Sequence, residues 1–306
     1  MLAIVIPYYK ISFFEDTLKS LKEQTNKRFK VYVGNDASSE NPEALLTEYA
    51  SELDIVYKKF ENNLGGVHLV KQWERCIEMV EDEKWIMLLG DDDFIENNLV
   101  ESFYNKYSFF SDKSNLIRFA SSVFNETEED SNQQIFKHPE WETAQNSLCR
   151  KITGQTRSSL SEYIFLKDIF LKKRFTNYPL AFYSDDKAWL DFSDSKPIFT
   201  INETTVNIRI SNISISGRTD NLDLKIEAEQ NFYSDLYCQQ LDEFSKTCRL
   251  HIMRKFEIAI LKKKRLNTQQ WCKLYVNYIK NYDKKQFYKF NKRLVKSIVY
   301  RKRVMH

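Results

Sequence analysis

Over residues 1–120, short apolar runs alternate with segments whose apolar side chains recur at helical spacing. Such alternation predicts β-α-β units and an α/β fold built on a mainly parallel sheet. Strands are expected at residues 2–7, 29–34, 55–58, 84–90 and 116–120. Between them, three sets mark helices: Phe14, Leu18 and Leu21; Leu45, Leu46 and Tyr49; and Leu69, Trp73, Cys76, Ile77 and Val80. In open sheets of this kind a ligand sits outside the carboxyl ends of the strands. That rule puts residues 7–9, 35–38, 62–66 and 91–93 around one crevice.

The run from Trp85 to Phe94 drives an almost uninterrupted apolar strand into Asp91, Asp92 and Asp93. A buried strand holds its end rigidly, and hard cations such as Mg²⁺ or Mn²⁺ prefer oxygen ligands. Neighbouring carboxylates repel one another until a cation neutralises them. An acidic turn that caps the next helix explains the same residues without a metal, and both readings stand at this point.

Farther along, residues 125–151 are polar and irregular and predict a long surface loop. Residues 161–170 and 186–192 predict helices, and residues 198–201 and 205–210 a pair of strands. Beyond Leu222 the chain reads as helical, with no proline after Pro197 and no glycine after Gly217. We therefore divide it into residues 1–218 and a helical extension, 219–306.

The five cysteines are scattered, without a CxxC pair, so neither a zinc site nor a disulfide framework is indicated. No apolar run approaches the roughly 18 residues of a membrane span, and the opening run is too short for a signal peptide. A cytoplasmic setting is expected. The net charge of +3 conceals an asymmetry: residues 249–306 carry 18 Lys/Arg against two acids, Glu257 and Asp283. These cations interleave with Trp271, Tyr275, Tyr278, Phe287 and Phe290, a pattern that suits peripheral contact with an anionic membrane at its inner face. The same pattern also fits a helix packed on the body with solvated lysines and, less well, a nucleic-acid surface.

Four strand-end segments, taken in order, resemble an inverting nucleotide-sugar glycosyltransferase of family 2, with the GT-A fold. Ile4-Val5-Ile6-Pro7-Tyr8-Tyr9 followed by Leu18 to Thr25 is similar to the family's opening; the resemblance places Pro7 and Tyr9 against the donor base. Val31 to Ser38 looks like "VVDDGS", with Asp36 as a contact to uracil or ribose and Asn35 where an acid is usual. Glu61 to Gly66 resembles the stretch beside the diphosphate and brings Asn63 to the donor; the family's arginine is absent from the helix start that follows. Leu89-Gly90-Asp91-Asp92-Asp93 matches the acidic motif, with glycine at the first acid. By resemblance Asp93 ligates the cation directly, while Asp91 touches ribose or a metal-bound water and Asp92 is the alternative partner.

Downstream, Ser184-Asp185-Asp186 resembles the family's "ED" motif, in which the second acid is the base, so Asp186 is the first candidate and Asp185 the second. Taken alone, the same residues would read as a helix cap. Asn207 to Ser216 is similar to the element near the end of the catalytic domain, where Arg209 reaches a phosphate. The resemblance covers residues 2–216. It implies transfer of a sugar from a nucleotide diphosphate donor, most simply a UDP-sugar, to a glycan or lipid-linked glycan hydroxyl, with Mn²⁺ or Mg²⁺ as cofactor, in surface-polysaccharide assembly. Two rivals remain at this stage. A sugar-nucleotide nucleotidyltransferase would need a glycine-rich loop after the first strand, which Pro7-Tyr8-Tyr9-Lys10 lacks. A non-catalytic binding protein on a degenerate transferase body is suggested by Asn35 and Gly90.

Overall fold

The computed structural model describes residues 1–125, 134–210, 221–262 and 266–303. The chain divides into two compact units, Met1–Ala228 and Glu229–His306. The dividing line falls ten residues beyond the boundary read from composition.

The first unit opens with β1 (Leu2–Tyr8), α1 (Phe14–Lys22), β2 (Phe29–Asn35), α2 (Glu43–Tyr49), β3 (Ile55–Lys59), α3 (Gly65–Ile77) and β4 (Trp85–Leu88). It continues through β5 (Phe94–Ile95), α4 (Leu99–Asn105), α5 (Tyr107–Phe110), β6 (Leu116–Asn125), β7 (Ile135–Phe136), β8 (Trp141–Glu142) and α6 (Ala144–Ile152). β9 (Tyr163–Leu166), α7 (Lys167–Lys173), α8 (Ser184–Ser193) and β10 (Ile198–Ile210) follow. The sheet runs β3-β2-β1-β4-β9-β6-β10-β5, with β7 beside β6 and β8 beside β10.

The first four strands of that order pair in parallel, and so do β6 and β10, whereas β9 runs antiparallel between β4 and β6. The register sets Tyr8 opposite Asn35 and Val5 opposite Leu88, which aligns the carboxyl ends of β1, β2 and β4 at one rim. One face of these strands buries Ile4, Ile6, Val31 and Val33 against Phe14, Leu18 and Leu21 of α1. Each such large apolar side chain contributes about 1.5–3 kcal/mol by leaving water. The opposite face carries α3, which buries Val70, Trp73, Cys76 and Ile77.

Three sequence expectations are corrected. Residues 161–170 are not one helix: Tyr163-Ile164-Phe165-Leu166 is a strand, and the helix α7 starts only at Lys167. A short apolar run carries no periodicity that separates strand from helix, and this one fills the gap between β4 and β6. Residues 198–201 and 205–210 form one strand, β10, continuous through a register shift between Ile201 and Thr205. The polar stretch at 125–151 is more ordered than a loop: it holds β7, β8 and α6, the last capped by the Thr143 hydroxyl accepting from the Asn146 N–H at 3.2 Å. Its residues 126–133 lie outside the described residues.

In the second unit α9 (Leu222–Asp235), which begins before residue 229, leads to α10 (Lys246–Leu261), α11 (Thr268–Lys280) and α12 (Lys284–Arg303). Tyr237 stacks on Phe256 at 4.4 Å and Tyr278 on Phe290 at 4.3 Å, giving this unit an aromatic core of its own. Among the described residues no helix is long and apolar enough to cross a membrane.

Candidate active site

The rim where β1, β2 and β4 end is tied together by aspartates. Asp91, just past β4, accepts the backbone N–H of Tyr9 at 2.7 Å and of Lys10 at 2.9 Å through one carboxylate oxygen. This clamp fixes the turn after β1 and leaves the Tyr9 ring 45% exposed at the rim. Ser38 adds a second tie by donating its hydroxyl to the Tyr9 carbonyl at 2.5 Å. Pro7, expected at the donor base, is half-buried opposite Gly34 within the β1–β2 pairing.

Asp36 is buried at the end of β2 and braces the start of α3. Its two oxygens accept the N–H groups of Leu64 and Gly65, each at 2.8 Å, and Arg75 donates to the same carboxylate. A side chain at Gly65 would bring a Cβ to 2.6 Å of the Asp36 Oδ2. Arg75 also reaches the Asn62 carbonyl at 2.8 Å and lies over the Phe60 ring at 3.9 Å. A guanidinium therefore enters the rim from the α3 residue two turns after His68, although no arginine stands at the helix start. Asn63 is exposed and caps the first turn, accepting the Gly66 N–H at 2.6 Å. Asn35, where an acid was expected, accepts the Ser38 N–H at 2.8 Å and donates to the Tyr57 hydroxyl at 2.9 Å, so here an amide does what a carboxylate could not.

The three aspartates after β4 have different surroundings. Asp93 is buried, its Oδ2 accepting from the Ser161 hydroxyl at 2.5 Å and its Oδ1 from the Arg209 N–H at 3.0 Å. Asp92 is half-buried, and its carboxylate bonds no other side chain or neighbouring backbone group among the described residues. Burial pushes the Asp92 carboxyl up to about 8, with Asp93 and Asp91 adding repulsion. Burial likewise raises Asp93 to about 6, opposed by the Ser161 hydrogen bond, and raises Asp91 despite its two N–H donors. Gly90 has a steric reason: a Cβ there would stand 2.9 Å from Asp93 Oδ2 and 3.0 Å from Asp92 Oδ1.

Arg209, expected at a phosphate, is buried. Its guanidinium pairs with Asp16 at 2.6 Å, donates to the Asp92 carbonyl at 3.1 Å and lies over Phe13 and Phe124 at 4.3 and 5.1 Å. In this position it braces the acidic turn from behind. The remainder of its segment, residues 211–216, lies outside the described residues.

Asp185 and Asp186 sit in the first turn of α8, which packs on α6, α7 and β6. The turn leading there is strained: Leu180, Ala181 and Tyr183 all hold left-handed backbone, with φ of 56°, 56° and 66°. Non-glycine residues of this kind cost on the order of 1–3 kcal/mol each and gather at functional sites. Asp186 is buried, and Lys151 grips both of its oxygens at 2.7 and 2.6 Å. Asp185 is half-buried and has no such counter-ion on its own oxygens. Burial first, and the neighbouring Asp186 second, push its carboxyl up to about 7. Lys151 thus occupies Asp186, while Asp185 carries no ion pair on its own oxygens. The segment before α8, residues 179–181, packs on α3, the helix whose start Asp36 braces.

The positions that sequence reasoning missed are Arg75, Ser161 and Lys151. Arg75 left a trace, since it falls on the face of α3 that Gln72 and Cys76 turn toward Gly34. Ser161 and Lys151 left none; each acts through a partner more than thirty residues away.

A cation fits the donor set in part. Among the described residues no three His, Cys, Asp or Glu side chains form a complete metal cage. Asp92 nevertheless offers one open, electrostatically stressed carboxylate beside two others, and Mg²⁺-type ions commonly take one or two carboxylates and complete their shell with water and substrate phosphates.

Comparison with solved structures finds the same architecture. S. aureus TarS 1–349 in complex with UDP-GlcNAc superposes with a TM-score of 0.63 at 15% identity, over 93% of this chain and 82% of that one. The UDP complex of the same fragment gives a TM-score of 0.60 at 17% identity with equal coverage. The S. aureus TarS structure gives a TM-score of 0.61 at 15% identity over 93% of this chain and 50% of that one. The sheet flanked by helices is the GT-A fold expected from the sequence. A comparison with curated proteins finds no match. Residues 3–196 match the family described as Glycosyl transferase family 2, and the chain belongs to that family.

Proposed function

We propose that the chain transfers a sugar from a UDP-sugar to a hydroxyl of a glycan or lipid-linked glycan, with inversion at the anomeric carbon. The observation that carries this reading is the inequality of the acids: Asp91, Asp93 and Asp186 are held by other residues, whereas Asp92 has no such partner among the described residues and Asp185 carries no ion pair. Support comes from family membership and from the UDP and UDP-GlcNAc complexes of the structurally similar TarS.

In this reading the exposed Tyr9 ring stacks on the base, worth about 1–3 kcal/mol. The Asp36–Arg75 brace holds the loop before α3 in the shape that receives the ribose and diphosphate. Asp92, with Asp93 and Asp91 beside it, would hold Mn²⁺ or Mg²⁺, which when bound supplies positive charge opposite the leaving diphosphate. Asp185 takes the proton of the acceptor hydroxyl. The oxygen so freed bonds to the anomeric carbon on the face opposite the diphosphate. The carbon–oxygen bond to the diphosphate breaks, and its electron pair departs with UDP. A base poised near neutral pH suits that step; burial and the neighbouring Asp186 raise Asp185, and Lys151 moderates the rise.

A thermal-shift screen of nucleoside diphosphates and their sugars, with and without Mn²⁺, tests the donor. Ligand that binds only the folded state raises apparent stability, so UDP and a UDP-sugar should raise the transition most, and more with Mn²⁺. If no uridine nucleotide moves the transition, the donor assignment is wrong.

A further inference from the structure

Between α10 and α12 the second unit carries a groove of about 460 Å³ that has no part in the transfer chemistry. Its walls are Ile258 and Leu261, its floor is Trp271, and Arg254, Lys262, Arg293 and Lys296 stand around it. That volume lies in the range of small-ligand sites, which are mostly apolar with a few placed polar groups.

The cations are arranged by a buried carboxylate. Glu257 on α10 is fully buried, an expensive position for a charge unless it is paired. Arg293 engages both of its oxygens, and Arg254 reaches one of them at 3.2 Å. Two guanidiniums on one carboxylate leave positive charge in excess beside the groove, and the fork of Arg293 is locked rather than free to wander. Lys262 pairs with Glu229 at the groove's edge. Lys296 makes no hydrogen bond or ion pair among the described residues and brings an uncommitted cation to it. Glu257 and Glu229 offset two of these four cations, and beyond Ile258 the sequence holds a single further acid, Asp283, so the groove keeps a positive excess.

An apolar trough with oriented guanidiniums at its side matches a molecule that is anionic at one end and aliphatic along the rest. We propose that this groove binds a lipid phosphate, with the phosphate at Arg254, Arg293 and Lys296 and the hydrocarbon chain along Ile258, Leu261 and Trp271. Guanidinium pairs with phosphate in well-defined geometry, and the aliphatic wall distinguishes a lipid from free phosphate. The site stands on the second unit alone and does not depend on the donor assignment.

The test is flotation of the full chain with vesicles of phosphatidylcholine, with and without phosphatidic acid, alongside calorimetry with inorganic pyrophosphate in solution. Lys296→Glu and Leu261→Asp change exposed groove residues; Lys280→Glu makes the same charge change at an exposed α11 position outside the groove lining. The site predicts binding to the phosphatidic acid vesicles only, weakened about tenfold or more by either groove variant and at most about twofold by Lys280→Glu. Equal losses for Lys296→Glu and Lys280→Glu, or no loss with Leu261→Asp, would mean diffuse charge attraction and overturn the proposal. Pyrophosphate bound as tightly as the vesicles and lost with Lys296→Glu would overturn the lipid assignment, as would binding to no vesicle.

Discussion

Replacing Asp185 by asparagine should stop turnover and at the same time make the protein more stable at pH 8. Burial and the adjacent Asp186 move the Asp185 carboxyl from its ordinary 3.8 to about 7. Between those values the folded chain holds a proton that the unfolded chain has released, so stability falls as pH rises through that window and stays reduced above it. At about 1.4 kcal/mol per tenfold change in proton affinity, the penalty on the charged form is at most about 4 kcal/mol. Asp185 is half-buried, so solvent screens part of this penalty and we expect on the order of 2 kcal/mol. Asparagine cannot ionise and escapes this penalty. For a domain of this size the gain corresponds to a rise of roughly 4–8 °C in Tm at pH 8 and none near pH 3. Turnover should fall by a factor of about 10² to 10⁴, the usual contribution of a positioned base. In the unaltered enzyme kcat should drop about tenfold per pH unit below about 7, where the carboxylate is lost. Calorimetric scans at the two pH values, with UDP release as the activity readout, decide the matter. A variant that is active, or no more stable at pH 8 than at pH 3 relative to the parent, would refute the assignment of Asp185 as a strained base.

Three further outcomes follow from the packing. Gly90→Ala forces a Cβ to 2.9 Å of Asp93 Oδ2; it should cost about 1–3 kcal/mol in denaturant titration and weaken UDP binding in parallel. Arg75→Met leaves the buried Asp36 with only its two backbone donors, so the KM for donor should rise while stability falls by about 1–3 kcal/mol. Glu162→Gln breaks a fully buried pairing with Arg118 at 3.2 Å and with Arg157 at 2.8 Å; chemical denaturation should show a loss of about 3–5 kcal/mol, with Tm falling before activity does.

Periodicity was enough to read the parallel half of the sheet from the sequence, because β1 to β4 and α1 to α3 are local units whose apolar spacing reports their own burial. β9 escaped because Tyr163 to Leu166 is buried on both faces, which erases alternation, and because its partners β4 and β6 lie far away in the chain. The cluster of strand-end residues was legible too, since the topology of such sheets brings those ends together. What the sequence withheld was the allocation of partners among like residues. Nothing local tells that Asp91 clamps the turn after β1, that Asp93 is closed off by Ser161 and Arg209, or that Lys151 takes Asp186 and leaves Asp185 free. Those distinctions depend on contacts across 35 to 116 residues of chain. Gly90 illustrates the converse case: at this departure from the family pattern an added Cβ would crowd the carboxylates of Asp93 and Asp92.

In the proposed reading the carboxylate of Asp92 would make this rim a metal-assisted UDP site. Calorimetric titration of UDP into the full chain, with and without Mn²⁺, comparing the parent with Asp92→Asn, tests it most directly. Mn²⁺-dependent binding is expected of the parent; the variant, freed of a carboxyl raised to about 8, should be at least as stable as the parent and should lose the Mn²⁺-dependent part. Undiminished Mn²⁺-dependent binding by Asp92→Asn, or no UDP binding by the parent under either condition, would contradict it.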